Sequence, residues 1–257
     1  MDDRYTLAGT AFALSGGIGF IVGGAIFGNC DATGFPSNTN SSQPAITTDQ
    51  NFGALQYGDP FSSAWTRSLS LCQESTVAIP IPNSSATANF ALVDGAAVAP
   101  SANASLAPVV SPVQSPTING ASLFTAATLN TAVIPLSWSA PTGAVPYGYT
   151  VRVYVQTTPI DGVPTYAAAG GNFSTAQTSI TLPPLSGGNT YVFAITALAD
   201  GTANMETGPF RSSLPTGFAT VVSAPITISS GALAPAIHGD RRVITRLSQA
   251  QPRVTPH

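Results

Sequence analysis

The side chains that most often carry out catalysis or bind metals are few in this chain and lie far apart. Both histidines, His238 and His257, lie near the C-terminal end, so the body of the chain offers no imidazole for a Ser–His–Asp triad or a His-rich metal site. Lysine is absent, which excludes Schiff-base chemistry. Beyond Asp2 and Asp3 at the N-terminal end, the acidic residues are single and separated, so no pair of them suggests a glycosidase. We therefore expect no catalytic activity, no metal and no cofactor.

The two cysteines, Cys30 and Cys72, could react with each other. In an oxidising compartment they would form a disulfide bond. Closing a loop of about 43 residues would contribute roughly 4 kcal/mol of stability on the chain-entropy model. The alternative is a pair of free thiols, and the sequence leaves both interpretations open.

Charge is scarce and unevenly spread. Residues 237–257 hold four arginines against Asp240, a net charge of +3, whereas the preceding residues hold four arginines against ten acids, a net charge of −6. The basic residues of the tail, residues 230–257, are Arg241, Arg242, Arg246 and Arg253. They could bind an acidic protein surface or anionic lipid headgroups, or simply form a solvated terminus. No strong basic face is present, so we expect no nucleic-acid partner.

An apolar run near the N-terminus is long enough to hold the remaining chain at a membrane. Residues Leu7–Phe27 are 21 consecutive uncharged residues. As a helix they would be about 31 Å long, which matches a hydrocarbon core of about 30 Å. We predict a transmembrane helix over residues 7–28; the alternatives are a cleaved signal peptide or a lipoprotein modified at Cys30. Arg4 is the only basic residue near either end of the run, which favours a cytoplasmic N-terminus, residues 1–6, and a periplasmic module on a bacterial inner membrane.

Small residues recur along this predicted helix. In lipid, helices gain no hydrophobic free energy by associating, so close backbone approach along small residues is what favours their packing. The small residues that recur at intervals of four are Ala11, Ser15, Gly19 and Gly23, and Gly24 with Gly28 forms a second pair at the same spacing. We predict that the helix docks on transmembrane subunits of a larger complex; the alternative is a plain anchor, because glycine is common in membrane helices.

The region between the apolar run and residue 116 is polar and rich in Ser, Pro and Ala. Residues 29–75 are predicted to be a linker or strap, with a short helix over 61–71 that Pro60 could begin. Within residues 76–116, two alternating segments, Thr76–Ile81 and Ala88–Val93, predict short strands around a turn at Pro82-Asn83-Ser84. Residues Asp94–Pro116 are predicted to form an extended spacer.

The most regular pattern lies in residues 117–229, where short alternating strands are separated by Gly-containing turns. Such a pattern predicts an antiparallel β-sandwich. The predicted strands are Ile118–Phe124, Ala132–Ser139, Tyr147–Val155, Ser179–Leu182, Thr190–Ala197 and Phe218–Ile228.

Several of these segments resemble those of a fibronectin type III domain, an immunoglobulin-like β-sandwich. Pro135–Pro141, with its central Trp, looks like the second strand of that family and Tyr147–Val151 looks like the third. Ile180–Leu185, followed by Gly187–Tyr191, resembles the fifth strand and the corner that leads to the sixth. The resemblance implies core or corner positions for Trp138, Tyr149, Leu185 and Tyr191, with the Tyr191 hydroxyl bonded to nearby backbone. The chain departs from the family pattern over residues 156–178 and 201–217.

The sequence thus predicts a mainly β protein, a fibronectin type III-like sandwich behind one transmembrane helix. We expect a non-catalytic, single-span accessory subunit that docks on a larger membrane complex, for example of the respiratory or photosynthetic type. The alternative is a membrane-anchored adhesion or carbohydrate-binding module at the cell surface, for which an exposed aromatic platform would be the diagnostic feature.

Overall fold

The computed structural model describes residues 3–11, 37–40, 67–98, 108–158, 162–200 and 215–233. These residues are mainly β, which confirms the predicted structural class. Their strands are β1 (Asp3–Ala11), β2 (Ser37–Asn40), β3 (Arg67–Pro80), β4 (Thr87–Val98), β5 (Gln114–Ile118), β6 (Ala121–Ser122), β7 (Ala127–Thr131), β8 (Ile134–Ser139), β9 (Pro146–Thr157), β10 (Thr165–Thr175), β11 (Ser179–Leu182), β12 (Thr190–Asp200), β13 (Thr216–Val222) and β14 (Ile226–Leu233).

The strands form two sheets. The large sheet has the order β10-β9-β12-β13-β4-β3-β1-β2, and β14 pairs with both β12 and β7 beside this path. The small sheet has the order β11-β8-β5-β6. Buried residues from both sheets belong to one hydrophobic cluster, so the two sheets enclose a common core.

Strand β12 shows how the sequence produces this core. Tyr191, Phe193 and Ile195 are buried in the cluster between the sheets, because alternate residues of a strand point to the same face. Val192 lies between them in sequence and is also fully buried, but it belongs to a second cluster on the opposite face of the large sheet. We call this opposite face the outer face. Strand β12 is therefore covered on both sides, which explains its nearly continuous run of apolar residues.

The N-terminal edge of the small sheet changes direction at a tight turn. Asn119 and Gly120 both have positive φ, 49° and 80°, as a two-residue type I′ turn requires. This turn joins β5 to β6 and interrupts the predicted strand Ile118–Phe124. The chain then crosses to the large sheet, where β7 runs parallel to β14.

Strands β3 and β4 form a long antiparallel hairpin. The register pairs Leu69 with Val98 at one end and Pro80 with Thr87 at the other. The turn is closed by a bond from Ile81 N–H to the Ala86 carbonyl at 3.1 Å, with Asn83 in a left-handed conformation at φ 62°. Strands at both predicted segments, Thr76–Ile81 and Ala88–Val93, and a turn between them are therefore confirmed. The hairpin is longer than predicted at its open end.

Three predictions for the N-terminal half are corrected. Leu7–Ala11, predicted to begin a transmembrane helix, lies in β1, which pairs with β3 from Asp3 to Ala11; residues 12–28 lie outside the described residues. Arg67–Leu71, predicted to end a short helix, lies in β3. Asp94–Val98, predicted to begin a spacer, is the last part of β4.

Backbone pairing is the physical reason for these three corrections. Thr and Val favour strands and Gly weakens helices, so the small-residue segments Leu7–Ala11 and Asp94–Val98 take the structure that their neighbouring strands offer. Arg67–Leu71 pairs with β1 and, from Leu69, also with β4. In the described part of the chain there is no helix with the length and apolar character needed to cross a membrane.

Candidate functional site

Most of the predicted site residues lie outside the described part of the chain. The exceptions are Ala11 and Cys72. Ala11 ends β1 opposite Arg67, and Cys72 lies in β3 opposite both Thr6 and Gly95. The predicted residues outside it are Ser15, Gly19, Gly23, Gly24, Gly28, Cys30, Arg241, Arg242, Arg246 and Arg253. Ala11 thus lies in a strand and not on a helix face. The docking positions from Ser15 to Gly28, the Cys30–Cys72 disulfide and the basic tail stay predictions.

The candidate site lies where the β3–β4 hairpin joins the sandwich, by which we mean the two sheets packed around the common core. Among the residues that the structure describes, strand β4 pairs with β13 through three residue pairs, and the last of them is Phe218 with Gly95. The Phe218 ring lies against Gly95, where a Cβ atom would be 2.7 Å from Cζ of Phe218 and closer still to Cε1. Glycine at position 95 therefore allows the aromatic ring to cover the backbone of β4. Together with Asp94 and Thr220, these two residues form what we call the junction.

Asp94 makes the polar contact of the junction. The backbone N–H of Thr220 donates a hydrogen bond of 2.8 Å to Oδ1 of Asp94. Burial raises the pKa of Asp94 from its ordinary value of 3.8 to about 6, although this bond acts in the opposite direction. Desolvation of the carboxylate therefore outweighs the hydrogen bond that stabilises it.

Beyond the junction, the hairpin folds over the outer face of the large sheet where that face is formed by β9, β10, β12 and β13. Its contact with that face is the second hydrophobic cluster, which we call the outer cluster. Its buried members are Ile79, Val192 and Val222, and its partly buried members are Val77, Phe90, Leu92, Tyr154 and Tyr166. The cluster takes residues from β3, β4, β9, β10, β12 and β13, so the hairpin spans the sheet from β13 to β10.

Phe90 lies at the centre of the aromatic part of this cluster. Its ring is 5.1 Å from that of Tyr154 in an edge-on arrangement and 5.7 Å from that of Tyr166. Such geometry is favourable beyond the burial of apolar area. The Tyr166 hydroxyl also donates a hydrogen bond of 3.2 Å to the Pro80 carbonyl. Burial raises the pKa of Tyr166 to about 12, so its hydroxyl keeps its proton at all ordinary pH values.

The uncovered part of the outer face is lined with hydroxyl groups. Thr150, Thr196 and Thr220 occupy one row on three neighbouring strands, and the Thr196 and Thr220 hydroxyls are 2.9 Å apart. In the next row, Nε of Arg152 donates to Oδ1 of Asn172 at 2.9 Å. Thr196 with Thr220 and Arg152 with Asn172 thus form side-chain pairs. Within the described residues, no cluster of His, Cys, Asp and Glu could hold a metal ion.

The corner and core residues implied by the fibronectin resemblance take the positions expected for them. Trp138, Tyr149 and Tyr191 are buried in the core, and Leu185 packs against it. The Tyr191 hydroxyl donates a hydrogen bond of 3.0 Å to the Ser186 carbonyl, which confirms the predicted backbone contact. The Trp138 ring packs edge-on against Tyr149 with 5.1 Å between ring centres.

Sequence reasoning missed the junction, although one signal was present. Asp94-Gly95 interrupts an apolar run, Ala88–Val98, with one charged residue and one glycine. A partly buried acid and a glycine with restricted space are both unusual within a strand. What the sequence alone could not supply is the partner strand, because Thr220 lies 126 residues further along the chain.

Comparisons with known proteins add little to this description. No protein-family model and no curated protein matches the chain. Among solved structures, the chain is similar to the twitchin kinase region from C. elegans (Fn31-NL-kin-CRD-Ig26), with 20% identity and a TM-score of 0.29. The match covers 51% of this chain and 18% of that structure. Likeness at this level carries no argument about function, and the class of the protein, mainly β with two packed sheets, rests on its own structure.

Proposed function

We propose that the chain is a non-catalytic structural module with a fibronectin type III-like sandwich at its centre. In this proposal it acts as an accessory subunit that docks on and stabilises a larger membrane complex. The sandwich would supply a rigid body, and the β3–β4 hairpin would brace its outer face.

One observation carries the structural part of this proposal: the polar side chains of the hairpin contact bond to backbone groups. Asp94 accepts from the Thr220 N–H, and Tyr166 donates to the Pro80 carbonyl. Groups used in this way fix two elements against each other. This pattern is what a brace requires, whereas a catalytic site would direct such groups into a cleft.

Two further features support the fibronectin type III-like interpretation. The Tyr191 hydroxyl bond to Ser186, five residues upstream, has the form of a tyrosine corner. The layers are also of the expected kind, with β5, β8 and β11 in one sheet and β9, β12 and β13 in the other.

The adhesion or carbohydrate-binding alternative has less support. An exposed aromatic platform would favour it, but Tyr154 and Tyr166 on the outer face pack against Phe90. Among the described residues, the exposed aromatic side chain is Phe124, 56% accessible, which lies away from these tyrosines in the segment between β6 and β7. A glycan array probed with the purified chain tests this alternative, and we expect no binding.

Native co-purification tests the accessory role. A tagged full-length chain would be extracted from its native membranes in mild detergent, separated by blue-native electrophoresis and analysed by mass spectrometry. We expect a high-mass band in which the chain and other membrane proteins occur in stoichiometric amounts. Recovery of the chain only as a free monomer would contradict the proposal.

A pair of variants then tests whether the apolar run takes part in docking. Gly19→Leu with Gly23→Leu adds bulk at two of the predicted contact positions, whereas Gly19→Ala with Gly23→Ala keeps both side chains small. We expect the leucine pair to release the chain from the complex and the alanine pair to retain it. Equal retention of both would show that the run is no more than an anchor.

A further inference from the structure

Asp94 lies where strand β4 leaves strand β13. The ladder between the two strands ends with Phe218 opposite Gly95, and continued pairing would bring Val93 opposite Thr220. The hairpin turns onto the outer face instead, and the Asp94 carboxylate supplies the acceptor for the Thr220 N–H at 2.8 Å. A titratable side chain has thus taken the place that a backbone carbonyl would occupy in an unbroken ladder.

The elements packed against β4 place few ionisable groups near this carboxylate. Strand β13 contains none, and β10 contributes Tyr166. Strand β9, which packs on the hairpin through Tyr154, also contributes Arg152, which lies in the row of Val222 and bonds to Asn172. On β3, Gln73 lies directly opposite Asp94, with Cys72 and Glu74 at the adjacent register positions. On β12, the neighbour of β13, the ionisable residues are Tyr191, which faces the core, and Asp200, which pairs with Thr216 at the far end of the ladder. Burial raises the pKa of Asp94, and the Thr220 bond acts against it.

We propose that Asp94 is a proton-dependent latch, so that the β3–β4 hairpin docks on the sandwich more tightly when this carboxyl is protonated than when it is ionised. A neutral carboxyl still accepts the Thr220 N–H through its carbonyl oxygen and no longer carries a charge that is partly withdrawn from water. Releasing the hairpin would expose the tyrosines of the outer cluster. This inference does not depend on the accessory role proposed above.

The direction of the pH effect follows from linkage. Asp94 has a pKa of about 6 when the hairpin is docked, against an ordinary value of 3.8. The docked state therefore binds the proton more tightly, and docking is strongest below about pH 4. It weakens as the pH rises towards 6 and changes little above that, with a total decrease of about a hundredfold. Most carboxylates in folded proteins give the opposite trend over this range.

Hydrogen exchange with mass spectrometry tests the latch in the full-length chain. Exchange rates for peptides covering residues 77–92, divided by the intrinsic rate at each pH, give the protection of the docked hairpin. Between pH 4.5 and pH 7 we expect this protection to fall by more than tenfold in the wild type. In Asp94→Asn, which cannot ionise, we expect it to stay constant. Asp200→Asn, an acid substitution outside the junction, should keep the wild-type trend.

Two results would overturn the proposal: equal pH trends in the wild type and Asp94→Asn, or stronger protection of the wild type at pH 7. Should Asp94→Asn lose protection at both pH values, an NMR titration of the wild-type carboxyl decides. A midpoint near 6 supports the latch, whereas a midpoint near 4 rejects it.

Discussion

Ser223 is the residue whose replacement gives the sharpest test of how the sandwich is held together. It is fully buried between β13 and β14, where the last strand of the sandwich is interrupted. Its hydroxyl accepts a hydrogen bond of 2.9 Å from the Phe193 N–H and donates one of 2.7 Å to the Ala224 carbonyl. The Ser223 hydroxyl thus takes the place of the backbone carbonyl that would accept the Phe193 N–H of β12 if the neighbouring strand were continuous.

Replacing Ser223 with alanine would leave the Phe193 N–H buried without its acceptor. An orphaned buried donor costs about 1–3 kcal/mol, and the Ala224 carbonyl also loses its partner. Little volume is lost, so a cavity adds only a minor cost. We therefore expect Ser223→Ala to reduce the free energy of unfolding by about 2–3 kcal/mol.

Urea denaturation gives this free energy, and amide exchange at Phe193 reports on the specific bond. Ser137→Ala is a suitable control because Ser137 is exposed and its hydroxyl bonds to the half-buried Thr117 hydroxyl. The control should change stability by less than about 0.5 kcal/mol. A Ser223→Ala protein within that same range, with the Phe193 amide still protected, would refute the reasoning.

Three further substitutions test other contacts. Gly95→Ala places a methyl group against the Phe218 ring and should weaken hairpin docking by about 1–3 kcal/mol, measured as lost exchange protection over residues 77–92. Gly231→Ala, where a Cβ meets nothing within 4 Å, is its control and should be neutral. Tyr191→Phe removes the bond to Ser186 and should lower the free energy of unfolding by about 1 kcal/mol in urea. Phe90→Ala removes the aromatic contacts of the outer cluster and should raise the fluorescence response of Tyr154 and Tyr166 to an added quencher; an unchanged response would contradict the contact.

The sandwich could be predicted from sequence because its strands are short and alternate clearly. Ser179–Leu182 was predicted with the bounds that β11 has, and Tyr147–Val155 falls within β9. The Tyr191 contact could also be predicted, since it joins residues only five apart in sequence. Both inferences depend on residues that are close together in the chain, and a single sequence shows such patterns completely.

The errors occur where local pattern is weak and the partner strand is distant. Leu7–Ala11 is apolar and small, so length and hydropathy favoured a helix, yet this segment pairs with β3 more than 55 residues away. Asp94–Val98 shows hardly any alternation, and its pairing with Thr216–Phe218 crosses over a hundred residues. Small side chains contribute little packing preference of their own, so backbone pairing decides their structure.

The two hydrophobic clusters differ in the number of buried residues, and we therefore expect the hairpin to detach before the sandwich unfolds. Within the described part of the chain, the core between the sheets contains twenty buried residues, whereas the outer cluster contains three, supported by three residue pairs between β4 and β13. Because stability follows buried apolar area, the hairpin contact should open at a lower urea concentration than the core. As the urea concentration rises, exchange protection at residues 77–92 should therefore disappear before the fluorescence of the buried Trp138 changes. Phe90→Ala and Gly95→Ala should shift only the first transition, and Ser223→Ala should shift the second. One transition shared by both probes in the wild type would mean that the hairpin is an integral part of the sandwich, and that bracing and core packing cannot be separated.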